Sequence, residues 1–208
     1  NVAVCIKQVP AKDAPLAIAE GSAWIREADI GFEMNEPDRF ALEEALRLKE
    51  KHGGEVVAIS MGPERVKSTI KEALAKGADR GIHVADDKFF QLDPLAAARS
   101  LAAAIAKEKF DLILTGLQSD DHGFGQTGVL LAELLGLPHA TLIIQIDVAD
   151  RRMKLKRELE AGFFARQALL HELPAPRTVA HAVDEHELLR VVPSSESVAP
   201  SQYRSDED

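Results

Sequence analysis

The chain has 208 residues, 46% of them apolar, with 34 acidic against 25 basic side chains and a formal net charge of −9. That length and apolar content suit one large domain with a substantial core. The acidic balance argues against a nucleic-acid binder, which needs a basic face. The single cysteine, Cys5, rules out an internal disulfide. No apolar run approaches the ~18 residues of a membrane span, so direct membrane insertion is not expected. Residues 1–10 run straight into a strand-like pattern, with no visible secretory leader.

Val2–Val9 (VAVCIKQV) predicts a first strand, and residues 10–31 are polar and broken, with weak strand character at Ala23–Ile25. Met34–Asp38 (MNEPD) is a helix start, with Pro37 in the first turn and Asn35 or Glu36 as cap. Residues 40–52 then repeat apolar side chains at helical spacing, supported by Glu43 and Arg47 four apart, until Gly53-Gly54. Glu55–Met61 predicts a second strand, Glu64–Lys76 a helix, Gly81–Val84 a short strand, Leu95–Lys109 an alanine-rich helix opened by Asp93-Pro94, and Asp111–Thr115 a further strand. This β/α alternation calls for a parallel sheet with helices on both faces.

After Pro138 the pattern changes. Thr141–Val148, Met153–Glu160 and Phe163–Leu173 predict strands joined by turns at Asp150-Arg151 and Ala161-Gly162. The fold class is therefore α/β: a parallel, doubly wound, Rossmann-like sheet, with an antiparallel β addition near the C-terminus. We expect a single domain over residues 1–192, its arm at about 139–192, and a polar, disordered tail at 193–208.

The most informative stretch is Gly116–Gly128, GLQSDDHGFGQTG. It follows an apolar strand and precedes VLLAELLG, a helix closed by glycine. Glycines let backbone approach a ligand closely, and the free N–H groups of a helix's first turn point at it. Gln126 and Thr127 add side-chain donors. A nucleotide phosphate is the natural guest; an ordinary strand–loop–helix crossover is the alternative. Asp120, Asp121 and His122 form a candidate metal or acid–base cluster, for which a polar loop beside a ligand is the simpler account. Lys7 stands near the same place. A lone buried Cys5 reads as an apolar filler rather than a redox group.

Taken together, VAVCIKQVP, MNEPDRFALEEALRLKE, VVAISMGP, KEALAKGADRGIHV, DLILTGLQSDDHGFGQTG and KLKRELEAG resemble the β subunit of electron transfer flavoprotein, in the family's order and over roughly residues 2–176. The resemblance implies an electron carrier rather than an enzyme. Its partner would be an α subunit that mainly holds FAD, and the β subunit would bind AMP structurally. Donors would be acyl-CoA dehydrogenases or related flavoenzymes, the acceptor a quinone-reducing oxidoreductase, and the compartment the bacterial cytoplasm or, in a eukaryote, the mitochondrial matrix. Carried over residue by residue, the nucleotide site comprises Cys5; Asn35, Glu36, Pro37 and Asp38; Met61; and Gly116, Leu117, Gln118, Ser119, Asp120, Asp121, His122, Gly123, Phe124, Gly125, Gln126 and Thr127. Arg157 and Glu158 are expected at the subunit interface.

Some relatives replace AMP with a second FAD and bifurcate electrons; that is one alternative. A nucleotide-binding regulatory module of similar fold is another. An ATP-using ligase would want a glycine- or serine-rich loop after the first strand, where this chain reads KQVPAKDAP. The family's Asn-x-Pro-Arg-Tyr-like element is missing from RTVAHAVDEHELLRVVPSS, which leaves Leu188 and Leu189 as candidates for a dehydrogenase anchor.

Overall fold

The computed structural model describes residues 1–22, 24–149, 152–157, 171–174 and 178–182. Their elements run β1 (Val2–Cys5), β2 (Gln8–Pro10), β3 (Phe32–Met34), α1 (Glu36–His52), β4 (Val56–Gly62), α2 (Lys67–Lys76), β5 (Arg80–Ala85), α3 (Pro94–Ile105), β6 (Leu112–Gly116), α4 (Thr127–Leu135), β7 (His139–Ala149), β8 (Arg152–Arg157), β9 (His171–Pro174) and β10 (Thr178–Ala182). Eight strands share one sheet in the order β5-β4-β1-β6-β10-β7-β8-β9, and β2 pairs with β3 in a second, small sheet.

β1 lies between β4 and β6 and is parallel to both, in a register that sets Cys5 beside Ile59 and Thr115. The pairings β4–β5, β6–β10 and β10–β7 are parallel too. Strands buried on both faces read as continuous apolar runs, and the two faces feed two cores. Val4, Val56, Ala58 and Leu114 pack with Ala41, Leu42 and Ala45 of α1 and with Ile70 and Ala73 of α2. Ala3, Val57, Ile59 and Ile113 pack with Ala98 and Leu101 of α3 and with Leu131 and Ala132 of α4. This is the doubly wound α/β fold that the alternation predicts.

The antiparallel addition is present as β7–β8–β9. Its Ile143, Ile146, Met153 and Leu155 extend the core beneath α1. Arg47 of α1 ties the two together, donating to the Ile146 carbonyl at 2.5 Å. Its ion-pair partner is Glu44, at i−3, rather than Glu43. Arg157 is held by Thr141 across the β7–β8 pair, at 2.8 Å to the carbonyl and 3.0 Å to the hydroxyl.

Two expectations need correction. Residues 2–9 are not one strand: β1 stops at Cys5, and Gln8–Pro10 pair antiparallel with Phe32–Met34. The cause lies at Lys7, whose N–H donates to the Asp38 carboxylate at 2.7 Å and whose carbonyl accepts from Asn35 N–H at 2.9 Å. Those bonds to the start of α1 draw the chain out of the main sheet. The second correction is β10, absent from the sequence reading, which fills the place between β6 and β7. The expected turns at Asp150-Arg151 and Ala161-Gly162, Glu158, residues 163–170, Leu188, Leu189 and the tail lie outside the described residues.

Candidate functional site

Beyond the carboxyl ends of β1, β4 and β6, on the face covered by α3 and α4, the sheet opens into a cleft of about 170 Å³. Open parallel sheets collect ligands at such a place. Of the residues singled out from sequence, Cys5, Asn35, Asp38, Met61, Gly116, Leu117, Gln118, Ser119, His122, Phe124, Gly125, Gln126 and Thr127 line it. Glu36, Pro37, Asp120, Asp121 and Gly123 are not part of that lining. The Glu36 N–H reaches the Asp120 carboxylate at 3.4 Å, and the Gly123 N–H closes a turn onto the Ser119 carbonyl at 2.8 Å.

The loop after β6 is shaped by the start of α1. Asn35 occupies the cap position of that helix, yet its side chain makes no capping bond. It reaches instead across 83 to 85 residues of chain, donating to the Gln118 carbonyl and accepting from the Asp120 N–H, each at 2.9 Å. Asp38 accepts from the Gly116 N–H at 2.9 Å as well as from Lys7. Gly116 must be glycine, because a Cβ there would lie 2.9 Å from the Asp38 nitrogen and 2.9 Å from the Pro37 carbonyl carbon. One buried asparagine and one buried aspartate thus fasten the loop to α1.

Burial pushes the Asp38 carboxyl up to about 7, against the lowering pull of its hydrogen bonds to Lys7, Gly116 and Asn35. Burial, and then the charge of Asp38, push the Cys5 thiol up to about 12. Such a thiol is inert at neutral pH, in keeping with a packing role. Lys7 Nζ pairs with Asp121 at 2.5 Å and donates to Ser119 Oγ at 3.2 Å. Burial raises the Asp121 carboxyl, but the Lys7 bond and charge outweigh it and leave it below its ordinary value. Among the described residues no group of three or more His, Cys, Asp or Glu is arranged to hold a metal ion.

Two helices start at the cleft. Asp93 caps α3, accepting from the Ala96 N–H at 2.7 Å. α4 begins at Thr127 behind Gln126, with no side-chain cap. Gln126, Thr127 and Gly128 line the cleft. In the same lining Thr115 Oγ1 is buried without a hydrogen-bond partner among the described residues. Buried hydroxyls in native proteins almost always have one. On the β4 side the lining is apolar: Ile59, Met61, Phe89, Leu92 and Leu101, with Cys5 between Ile59 and Thr115. Sequence reasoning missed Leu101, which read as an ordinary core position of the alanine-rich helix, and Phe89 and Leu92, because residues 86–92 lack periodicity and read as a connection. The only signal there was the unusual pair Phe89-Phe90.

An open doubly wound α/β sheet with a ligand-sized cleft at its strand ends defines the class of protein. The Electron transfer flavoprotein domain family model matches residues 23–195. The β subunit of electron transfer flavoprotein from Methylophilus methylotrophus is 34% identical over 189 residues, 89% of this chain and 71% of that protein. The β subunit from Dictyostelium discoideum is 37% identical over 84% of this chain and 68% of its own length. That from Homo sapiens is 36% identical over 89% and 72%. The chain belongs to the electron transfer flavoprotein family, carriers of electrons rather than catalysts, and its relatives here are β subunits. No helix among the described residues is long and apolar enough to cross a membrane.

Proposed function

We propose that this chain is the β subunit of a heterodimeric electron transfer flavoprotein and that its cleft holds AMP as a structural ligand. The carrying observation is the contrast at the cleft's polar end: an uncapped α4 start, with Gln126 and Thr127, beside the unpartnered Thr115 hydroxyl. A phosphate is an acceptor for helix N-terminal donors, and a nucleotide supplies acceptors for the hydroxyl as well. The apolar end suits a base. The residues present therefore fit the ligand.

In this reading the α subunit mainly holds FAD, which supplies the redox chemistry when bound. The β chain contributes a rigid wall to that site and no general acid or base. The α/β pair would carry electrons from acyl-CoA dehydrogenases or related flavoenzymes to a quinone-reducing oxidoreductase. Denaturing the purified complex and identifying what is released tests the reading. One AMP and one FAD per heterodimer are expected. Two flavins and no AMP would instead assign the cleft to a second FAD, and no nucleotide at all would refute both.

A further inference from the structure

The apolar end of the cleft contains one feature that a passive wall does not need. Phe89 lines the cleft from a short 3-10 turn, Phe89–Gln91, after β5. Its ring is held by residues from two distant segments. Trp24 meets it edge-on, with ring centroids 5.7 Å apart and planes at 87°. The Arg65 guanidinium stands 5.3 Å from its centroid, and 3.8 Å from that of Phe32. Glu27 joins these two holders. It accepts from Trp24 Nε1 at 2.8 Å and from Arg65 through both carboxylate oxygens, at 2.8 and 3.0 Å. Arg65 also donates to Gln8 Oε1.

A phenyl ring that only filled space would need none of this. Edge-on aromatic packing and a guanidinium over the ring both restrict its orientation, and a bidentate carboxylate fixes the guanidinium in turn. Resting on the nucleotide reading above, we propose that Phe89 is the aromatic contact for the bound base, and that Trp24, Glu27 and Arg65 form a clasp that positions it. The ligand class is a nucleotide with a flat heterocyclic base: base at Phe89 and Met61, phosphate at the start of α4. Phe89 is the contact residue and the other three position it; Trp24 also meets the ring of His122 in the lining, with centroids 6.4 Å apart.

Binding of AMP and of ribose 5-phosphate, which lacks the base, to the full chain tests this by equilibrium dialysis. Base–aromatic contact predicts that Phe89→Ala weakens AMP about tenfold or more and leaves ribose 5-phosphate unchanged, while Phe89→Tyr keeps AMP affinity near wild type. Should wild type take AMP but not millimolar ribose 5-phosphate, the AMP loss in Phe89→Ala decides alone. Trp24 is the chain's one tryptophan, so its emission reports the clasp directly. In Glu27→Gln, emission should shift to the red and AMP weaken severalfold with Phe89 still present; this variant decides the matter if Phe89→Ala fails to fold. Unchanged AMP affinity in Phe89→Ala, or equal loss of both probes, overturns the proposal while leaving the nucleotide reading standing. A wild-type chain that binds neither probe overturns the nucleotide reading itself.

Discussion

The starts of α3 and α4 face the same cleft and meet it in opposite ways. α3 satisfies its own first turn through the Asp93 carboxylate, which also places a negative charge at the rim. α4 leaves its first turn open, and its position depends on a loop that Asn35 and Asp38 hold from another helix. A helix that caps itself is locally complete. A helix left without a side-chain cap in the same lining as the Thr115 hydroxyl is where the proposed phosphate would sit. That difference is why the proposal puts the phosphate at α4 rather than at α3.

The most damaging way to break this contrast is Gly116→Ala. The new Cβ meets backbone of the first turn of α1 at 2.9 Å, so the α1–loop junction must open. We expect a loss of about 3 kcal/mol, at the upper end for overpacking, read as a lowered urea midpoint. Wild-type stability would show that the junction yields easily.

Thr127→Val acts on α4 alone. It keeps the side-chain shape and removes one donor to the proposed phosphate. Nucleotide retention should weaken by roughly 1–3 kcal/mol, with little change in unfolding. An AMP content that survives extensive dialysis at the wild-type level would count against the phosphate position.

Asp93→Ala sharpens the comparison from the other side. Losing the cap should cost about 1 kcal/mol of stability, visible in thermal unfolding. Nucleotide affinity should stay level or rise, since an acidic group leaves the rim. A marked fall in affinity would mean that α3, not α4, receives the phosphate.

The junction can also be probed without changing α3 or α4, through the pH dependence of Asp38. Its folded value of about 7 lies above the ordinary 3.8, so the folded chain binds more protons than the unfolded chain between those values. The group therefore lowers stability progressively as pH rises from about 4 to about 7. The slope cannot exceed one proton, about 1.4 kcal/mol per pH unit. Asp121, held below its ordinary value, works in the opposite sense: its contribution is present above the unfolded value and is lost on acidification. The unfolding free energy of wild type minus that of Asp38→Asn should fall across pH 4–7, whatever fixed cost the amide brings. A flat difference would mean that Asp38 is ionised throughout.

Much of the fold could be read from local chemistry. Pro37 in the first turn of α1, Gly53 closing it, Asp93-Pro94 opening α3 and Gly136 closing α4 all act over a few residues, and each stands where its neighbours in sequence require. The β/α alternation and the antiparallel β7–β8–β9 addition follow from periodicity. The loop Gly116–Gly128 stood out because a strand, glycines and a donor-bearing helix start are adjacent in sequence, and most of it lines the cleft.

What the sequence by itself determined, then, is the class of fold and the segments that meet at the strand ends, since both rest on patterns of ten to fifteen residues. The tertiary structure alone decided how those segments are joined. Asn35 looked like a helix cap, and only the approach of a loop more than 80 residues away turned its amide outward to that loop. The first strand looked eight residues long, and only the bonds of Lys7 to Asn35 and Asp38 ended it at Cys5. Phe89 looked like part of a connection, and only Trp24 and Arg65 from separate segments made it a fixed wall of the cleft. In each case a polar or aromatic group has several local partners of similar energy, and the choice among them belongs to whichever distant group the packed sheet brings within reach.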